Sequence, residues 1–237
     1  MPTPDSFAID PRFRGPPESG NGGYVCGRLA EGLDGDVRIR LERLPPLDRR
    51  LEVRETEDGR ALYDGEQLVA RAWPTRLEIA PPAAPDFAEA SRAAQRFRGH
   101  TEHVFPGCFV CGPERAEGDG LRIFPGLVDD GSLAAAPWLP DASLGESTVR
   151  PEFLWAALDC PGCFSFPQPE GRVLLLGELA AHLEGPLRPG ERCVVIGWEI
   201  DRDGRKHRTG TALFDATGNC AGYAVGTWIE VPPAPLS

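Results

Sequence analysis

The hydrophobic and polar positions of this chain form a train of short strand patterns, interrupted by three stretches that read as helices. Phe7 to Ile9 predicts one short strand among prolines. Asp36 to Leu44 alternates through Val37, Ile39 and Leu41, and Leu51 to Glu55 follows the turn at Pro45 to Asp48. Glu57-Asp58-Gly59 is a hairpin signal, and Ala61 to Tyr63 and Gln67 to Ile79 are joined by Asp64-Gly65. Further on, Leu121 to Phe124, Ser132 to Trp138, Val173 to Leu183, Arg192 to Ile200, Arg208 to Phe214 and Cys220 to Val231 read as strands. Of the helical stretches, Glu18 to Gly32 carries Tyr24, Val25, Cys26, Leu29 and Ala30 at the right spacing. Its glycines make it a poor helix by propensity, so packing or a ligand has to justify it. Asp86 to Arg98 is a short polar helix capped by Asp86, and Val149 to Phe166 is apolar on every side, as buried helices are.

The order of these elements occurs twice. Val173 to Leu183 is followed by Gly185-Pro186-Leu187 as Leu41 to Leu44 is followed by Pro45-Pro46-Leu47, and the hairpin at Asp201 to Gly204 matches that at Asp58-Gly59. Two copies of a helix with an antiparallel sheet form an internal repeat, carried by order and turn chemistry because residue identity between the copies is slight. The predicted division is a first unit over 1–80, a connection with a short helix over 81–105 entered through Pro81 to Pro85, a second unit over 106–231 and a tail over 232–237.

The second long helix holds one carboxylate. Pro151 and Glu152 suit a first turn, Phe153 to Leu158 are apolar, and Pro161-Gly162 should kink or end the helix near Asp159. There an acid meets apolar neighbours and the negative end of its own helix, both of which raise a carboxyl pKa. The competing reading is that Asp159 only ties down the Cys-Pro-Gly turn that follows.

Composition narrows the function classes. A formal charge of −11, with four histidines and with Lys206 the sole lysine, argues against a nucleic-acid surface and an anionic membrane surface. No apolar run approaches the ~18 residues of a membrane span. The N-terminal MPTPDSFAIDPRF has neither a basic nor an apolar leader segment, and seven cysteines, an odd number, read as reduced thiols, so the expected compartment is the cytoplasm.

Three stretches carry a resemblance: Leu158 to Gly162 (LDCPG), Gly20 to Tyr24 (GNGGY), and Gly177 to Val231 with its GPLRPGE turn, DRDGRK hairpin and DATGN turn. They resemble the hotdog-fold thioesterases, in particular acyl-CoA thioesterases of the phenylacetyl-CoA type. The resemblance covers most of the chain when read twice. It implies an α+β double hotdog of two tandem antiparallel sheets, each wrapping a central helix. In that family the helix opens with His-Gly-Gly and carries an acid about two turns later. Here the first half keeps Asn21-Gly22-Gly23 but has Ala30 at the position of the acid. The second half keeps the acid as Asp159 but has Arg150-Pro151-Glu152 at the position of the glycines. Because the acid of one family subunit faces the glycines of the other, the resemblance implies one composite site per chain, with neither half working alone.

That site would hydrolyse small or medium acyl-CoA thioesters. Asp159 is the general base on water, with direct attack on the carbonyl the other reading; Gly22 and Gly23 offer backbone N–H groups to the oxyanion; Asn21, standing in for the family histidine, orients the thioester. Arg205, Lys206 and Arg208, in the one dense basic cluster of the chain, are the candidate contacts to the coenzyme phosphates, a solvated hairpin being the plainer reading. No further cofactor is expected, since coenzyme A enters with the substrate, and a homodimer would cover sheet edges. A second class of function is a non-catalytic protein binding acyl-CoA or another small ligand in the same cleft.

Cysteines occur in two C-x-x-C pairs, Cys108 with Cys111 and Cys160 with Cys163, separated by 48 residues, longer than a compact zinc-ribbon loop. A zinc set drawn from His100, His103, Cys108 and Cys111 has natural spacing and defines a third hypothesis, a zinc-stabilised interaction domain. An apolar knuckle around Phe105 and Pro106 explains the same residues, and no metal is assigned. Cys26, Cys193 and Cys220 read as buried small hydrophobes and His182 as a satisfied structural histidine. Trp138, Phe153, Trp155 and Phe164 read as core, or as the wall of an acyl tunnel.

Overall fold

The computed structural model describes residues 5–233, so positions 234–237 of the expected tail lie outside the described residues. The alternating stretches become strands close to the predicted bounds. They are β1 (Ser6–Ala8), β2 (Val37–Leu41), β3 (Arg50–Thr56), β4 (Gly59–Asp64) and β5 (Gln67–Pro74), then β6 (Gly126–Leu127) and β7 (Ala134–Trp138), and last β8 (Val173–Leu183), β9 (Cys193–Asp203), β10 (Lys206–Phe214) and β11 (Cys220–Val231). Among the described residues four α-helices accompany them: α1 (Gly22–Leu29), α2 (Phe87–Ala94), α3 (Pro151–Ala157) and α4 (Cys160–Cys163).

All eleven strands belong to one antiparallel sheet in the order β1-β3-β4-β5-β2-β8-β11-β10-β9-β7-β6. This corrects the expectation of two separate sheets. β2 and β8 pair antiparallel from Val37 opposite Ala181 to Arg40 opposite Glu178, so each satisfies the edge that the other would leave open. Arg38 and Glu178 pair as side chains across the same seam. On either side of it the strand order recurs: β1-β3-β4-β5-β2 reading inward from one edge, and β7-β9-β10-β11-β8 from the other, with the two-residue β6 added outside.

Alternation along the strands builds a layer on each face. On β9, Val195 joins the main core with the α1 and α3 residues Val25, Leu29, Phe153 and Leu154. Its neighbours Val194 and Ile196 point the other way, into a second cluster with Ala90 and Ala93 of α2. The predicted polar connection is thus amphipathic: Asp86 caps α2 by accepting from the Glu89 N–H at 2.7 Å, and the alanine face covers β6 and β7. Leu121 to Phe124, expected as a strand, pairs irregularly instead, with Leu121 and Ile123 N–H donating to the carbonyls of Phe109 and Val110 at 2.8 and 2.9 Å. No helix among the described residues is long and apolar enough to cross a membrane.

The glycines of α1 have a packing reason. A Cβ on Gly23 would fall 2.6 Å from Asp159 Cβ and 2.7 Å from the Trp155 carbonyl, and one on Gly27 would fall 2.5 Å from Glu152 Cα. Side chains at those two positions would hold α1 off α3. Bare backbone lets the helices meet, and that contact brings the start of α1 to the end of α3.

Candidate active site

The expected break in the second long helix falls at Leu158-Asp159, between α3 and α4, and Thr211 Oγ1 donates to the Leu158 carbonyl there at 2.7 Å. Asp159 does not cap the turn that follows it. Its side chain crosses to the other half of the chain, where Oδ2 accepts from Asn21 Nδ2 at 2.8 Å and from the Gly23 N–H at 2.9 Å. Asn21 is fixed in that role by its own helix. It is the N-cap of α1, and its Oδ1 accepts from the Tyr24 N–H at 2.9 Å, so the amide nitrogen is left facing the acid.

Asp159 is 3% exposed, and Oδ1, the second carboxyl oxygen, is buried with no hydrogen-bond partner among the described residues. Burial pushes its pKa up to about 7, the Gly23 N–H opposes the rise, the nearby Cys108 sulfur adds to it and the Asn21 amide opposes it. The helix end that matters is therefore the positive start of α1, which lowers the value, and burial is what overcomes it.

Asp159, Asn21 and Gly22 line a cavity of about 760 Å3. Its apolar wall comes from Leu174, Leu175 and Leu176 of β8, Trp228 of β11 and Phe164. Of the four aromatic residues expected in core or tunnel, Phe164 alone lines it; Trp138, Phe153 and Trp155 belong to the main core. Gly22 is the first residue of α1, where an N–H has no intrahelical carbonyl to bond. Gly23, the second, gives its N–H to Asp159.

Arg205, Lys206 and Arg208 do not line this cavity. Arg208 is paired with Asp201 at 2.6 Å, Arg205 reaches the Glu230 carbonyl at 3.4 Å, and Lys206 is exposed. Within the same run, His207 is buried, stacked on Phe166 with ring centroids 4.3 Å apart, and bonded to Glu230 at 2.7 Å, with Arg202 on the same carboxylate at 2.8 Å. The cations at the cavity are Arg98 and Arg172, both exposed. They lie 74 positions apart in sequence, so no single cluster announced them. Arg150 and Glu152 pair with each other at 3.3 Å, and Ala30 is buried at the end of α1, so the region related to the site by the repeat holds no acid at the matching position.

The two C-x-x-C pairs, far apart in sequence, meet in space. The sulfurs of Cys108, Cys111 and Cys160 lie within 4.8 Å of one another, on the cavity wall beside Asp159. Cys108 holds its thiol well below the usual range because the Cys111 and Cys160 thiols, and then the N–H groups of Cys111 and Val110, donate toward it. Burial pushes Cys111 up, and Cys160 rises chiefly through the hydrogen bonds it makes to Cys108 and Cys111. His100 is not part of this group: its Nε2 meets the Ala94 carbonyl at 3.0 Å. What the sequence reading missed is Cys160, and the available signal was its position next to Asp159. His182 has the satisfied partner expected of it, Asp36 at 2.6 Å.

No protein-family model and no curated protein sequence matches the chain. Solved structures do share its fold. Acyl-CoA thioesterase II of Mycobacterium marinum superposes with a TM-score of 0.60 at 13% identity over 97% of this chain and 93% of that one. The TesB protein of Mycobacterium avium subspecies paratuberculosis gives 0.60 at 11% identity over 90% and 88%. A hot dog fold protein of unknown function from Alicyclobacillus acidocaldarius gives 0.57 at 7% identity over 97% and 93%. The chain has the hotdog fold.

Proposed function

We propose that this protein is a tandem, double hotdog enzyme that hydrolyses acyl-CoA thioesters of small or medium acyl chains at one composite site. The observation that carries the reading is the bonding of one buried carboxylate, from the second half, to the capping amide and helix-start N–H of the first, at the wall of a cavity. Asn21 and the Gly23 N–H hold Oδ2 of Asp159, and Oδ1 is left to take a proton from water as general base. The Gly22 N–H, at the start of α1, is the donor for the oxyanion that develops as the thioester carbonyl is attacked; Gly23 serves by aiming the acid. The leucine wall from β8 takes the acyl group, and Arg98 and Arg172 take the anionic coenzyme. The thioesterases that share the fold support the choice of substrate class.

The test is release of free thiol from a panel of acyl-CoA esters by the wild type and by Asp159→Asn, which keeps the shape of the side chain and removes the base. Turnover should fall by about a hundredfold or more, the range of general acid–base contributions. Wild-type turnover that survives the substitution would sink the assignment. Because Oδ2 is already fully bonded within the protein, a second reading is a non-catalytic acyl-CoA binding protein. Tight binding with no turnover in either protein would establish that reading instead.

A further inference from the structure

Residues 101–125 form neither helix nor strand, yet the middle of this segment, Cys108-Phe109-Val110-Cys111, is buried. A structureless stretch of that length inside a compact fold needs something to hold it. Its core is a tight knuckle. The Gly112 N–H donates to the Cys108 carbonyl at 2.9 Å, and a Cβ on Gly112 would fall 2.5 Å from Cys108 N and O.

The third sulfur comes from a different element. Cys160 opens α4, and its Sγ is 3.9 Å from Cys108 Sγ. A zinc ion bound at about 2.3 Å by tetrahedral thiolates sets its sulfurs roughly 3.8 Å apart. Cys108 and Cys160 thus stand at ligand spacing, the three sulfurs lie within 4.8 Å of one another with no bond between them, and all seven cysteines are free thiols.

His103 stands next to this group in a different role. Its Nδ1 accepts from the Phe105 N–H at 3.0 Å, so the proton of the neutral ring is on Nε2, which faces Cys111 Sγ at 3.3 Å. A ligating Nε2 would need its proton on Nδ1, against the Phe105 N–H. The ring therefore serves as a hydrogen-bond donor to the Cys111 sulfur, the supporting contact that tunes a ligand from outside.

We propose that Cys108, Cys111 and Cys160 bind one zinc ion as three thiolate ligands, with the fourth tetrahedral position turned to the cavity that holds Asp159. Each thiol gives up its proton to solvent as the ion binds, so the centre carries one net negative charge and its fourth ligand is neutral, water in the resting protein. The ion clamps the segment 101–125 onto the start of α4. This inference does not depend on the thioesterase reading.

The test uses the purified full chain, reduced with a phosphine, stripped of metal by a chelator and titrated with Co2+ and then Zn2+. One equivalent of Co2+ should bind, with thiolate-to-cobalt charge transfer in the near ultraviolet and the intense visible bands of a four-coordinate ion, and Zn2+ should displace it. Imidazole added to the cobalt protein should shift the visible bands by replacing the water. His103→Ala and Cys163→Ser should keep one equivalent and the four-coordinate spectrum, whereas Cys108→Ser and Cys160→Ser should weaken binding at least tenfold. Failure of the reduced wild type to bind either ion overturns the proposal without reference to any variant. Loss of the site in Cys163→Ser, a changed coordination number in the cobalt spectrum of His103→Ala, or visible bands that ignore imidazole, overturns the open fourth position by showing that the protein fills it.

Discussion

Asn21 does two things with one side chain, and they can be separated. Its oxygen starts α1 and its nitrogen holds Asp159, so Asn21→Asp keeps an equally good N-cap while exchanging a donor for a second carboxylate against the first. We expect the helix start to survive, stability to fall by about 1–3 kcal/mol for the unsatisfied and repelled acid, and turnover to fall with it. Denaturant unfolding and the thiol-release assay read the two effects, and a variant with wild-type turnover would show that the amide does not position the acid. A second residue prediction concerns Glu230, whose carboxyl is held below its ordinary value first by the hydrogen bond from His207 and then, against some desolvation, by Arg202. A depressed folded-state value means that the unfolded chain binds the proton more readily. The contribution to stability is therefore full above the unfolded pKa and is lost as pH falls through the folded one. Glu230→Gln should accordingly melt lower than wild type near neutrality, and the gap should narrow below about pH 4.5, where the wild type loses the same interaction. A gap that stays constant down to pH 3 would show that the ion pairs are not its source.

Between elements, the decisive contact is α1 against α3, which is made of absent side chains. Gly27→Ala gains helix propensity of about 1 kcal/mol but sets a methyl 2.5 Å from Glu152 Cα, a backbone atom that cannot turn aside. Overpacking of about 1–3 kcal/mol should outweigh the gain and lower the unfolding free energy. Gly23→Ala makes the same kind of clash directly at Asp159 and should disturb the N–H bond to the acid as well. Of the two, it should show the larger loss of turnover for a similar loss of stability. Equal losses of turnover would place the effect in helix spacing alone.

The strand patterns of the chain made much of this level legible: β8 and β11 have the bounds expected for them, Val173–Leu183 and Cys220–Val231. The helix break at Asp159 could be read from Pro161-Gly162, and the Asn21-Gly22-Gly23 start was legible through the resemblance. What could not be read was spatial. Nothing in the spacing of Cys111 and Cys160 says that α4 lands on the knuckle, and nothing near Arg98 or Arg172 marks them as neighbours of one cavity. The basic run at 202–208 left two readings open in sequence, because a dense cluster of charge also forms when hairpin arginines pair with Asp201 and Glu230, as they do here.

Across the whole molecule the sheet is continuous, and its middle bond is the β2–β8 seam. If residues 1–105 and 106–237 are expressed separately, each exposes a long unpaired edge at β2 or β8 and holds one part of the Asp159, Asn21 and Gly23 constellation. Neither fragment should turn over substrate, and both should aggregate; co-expression should restore the seam and the activity together. Turnover by either fragment alone would rule out the composite site. The two-sheet expectation failed for the same reason that the seam exists: strand propensity is local, whereas the joining of two edges is decided by which edges remain after each half has paired its own strands.

Continuity of the chain through that seam also changes how the site responds to dilution. Two partners that meet as separate molecules lose each other at low concentration. Here Asp159 and the start of α1 share one covalent chain, with an effective concentration that a tether sets in the millimolar range whatever the amount of protein in solution. The same tether releases the two halves from symmetry. A substitution in one enters once and not twice, so Ala30 and the Arg150–Glu152 pair can stand where an acid and glycines would otherwise be required, while the Asp159 site stays whole.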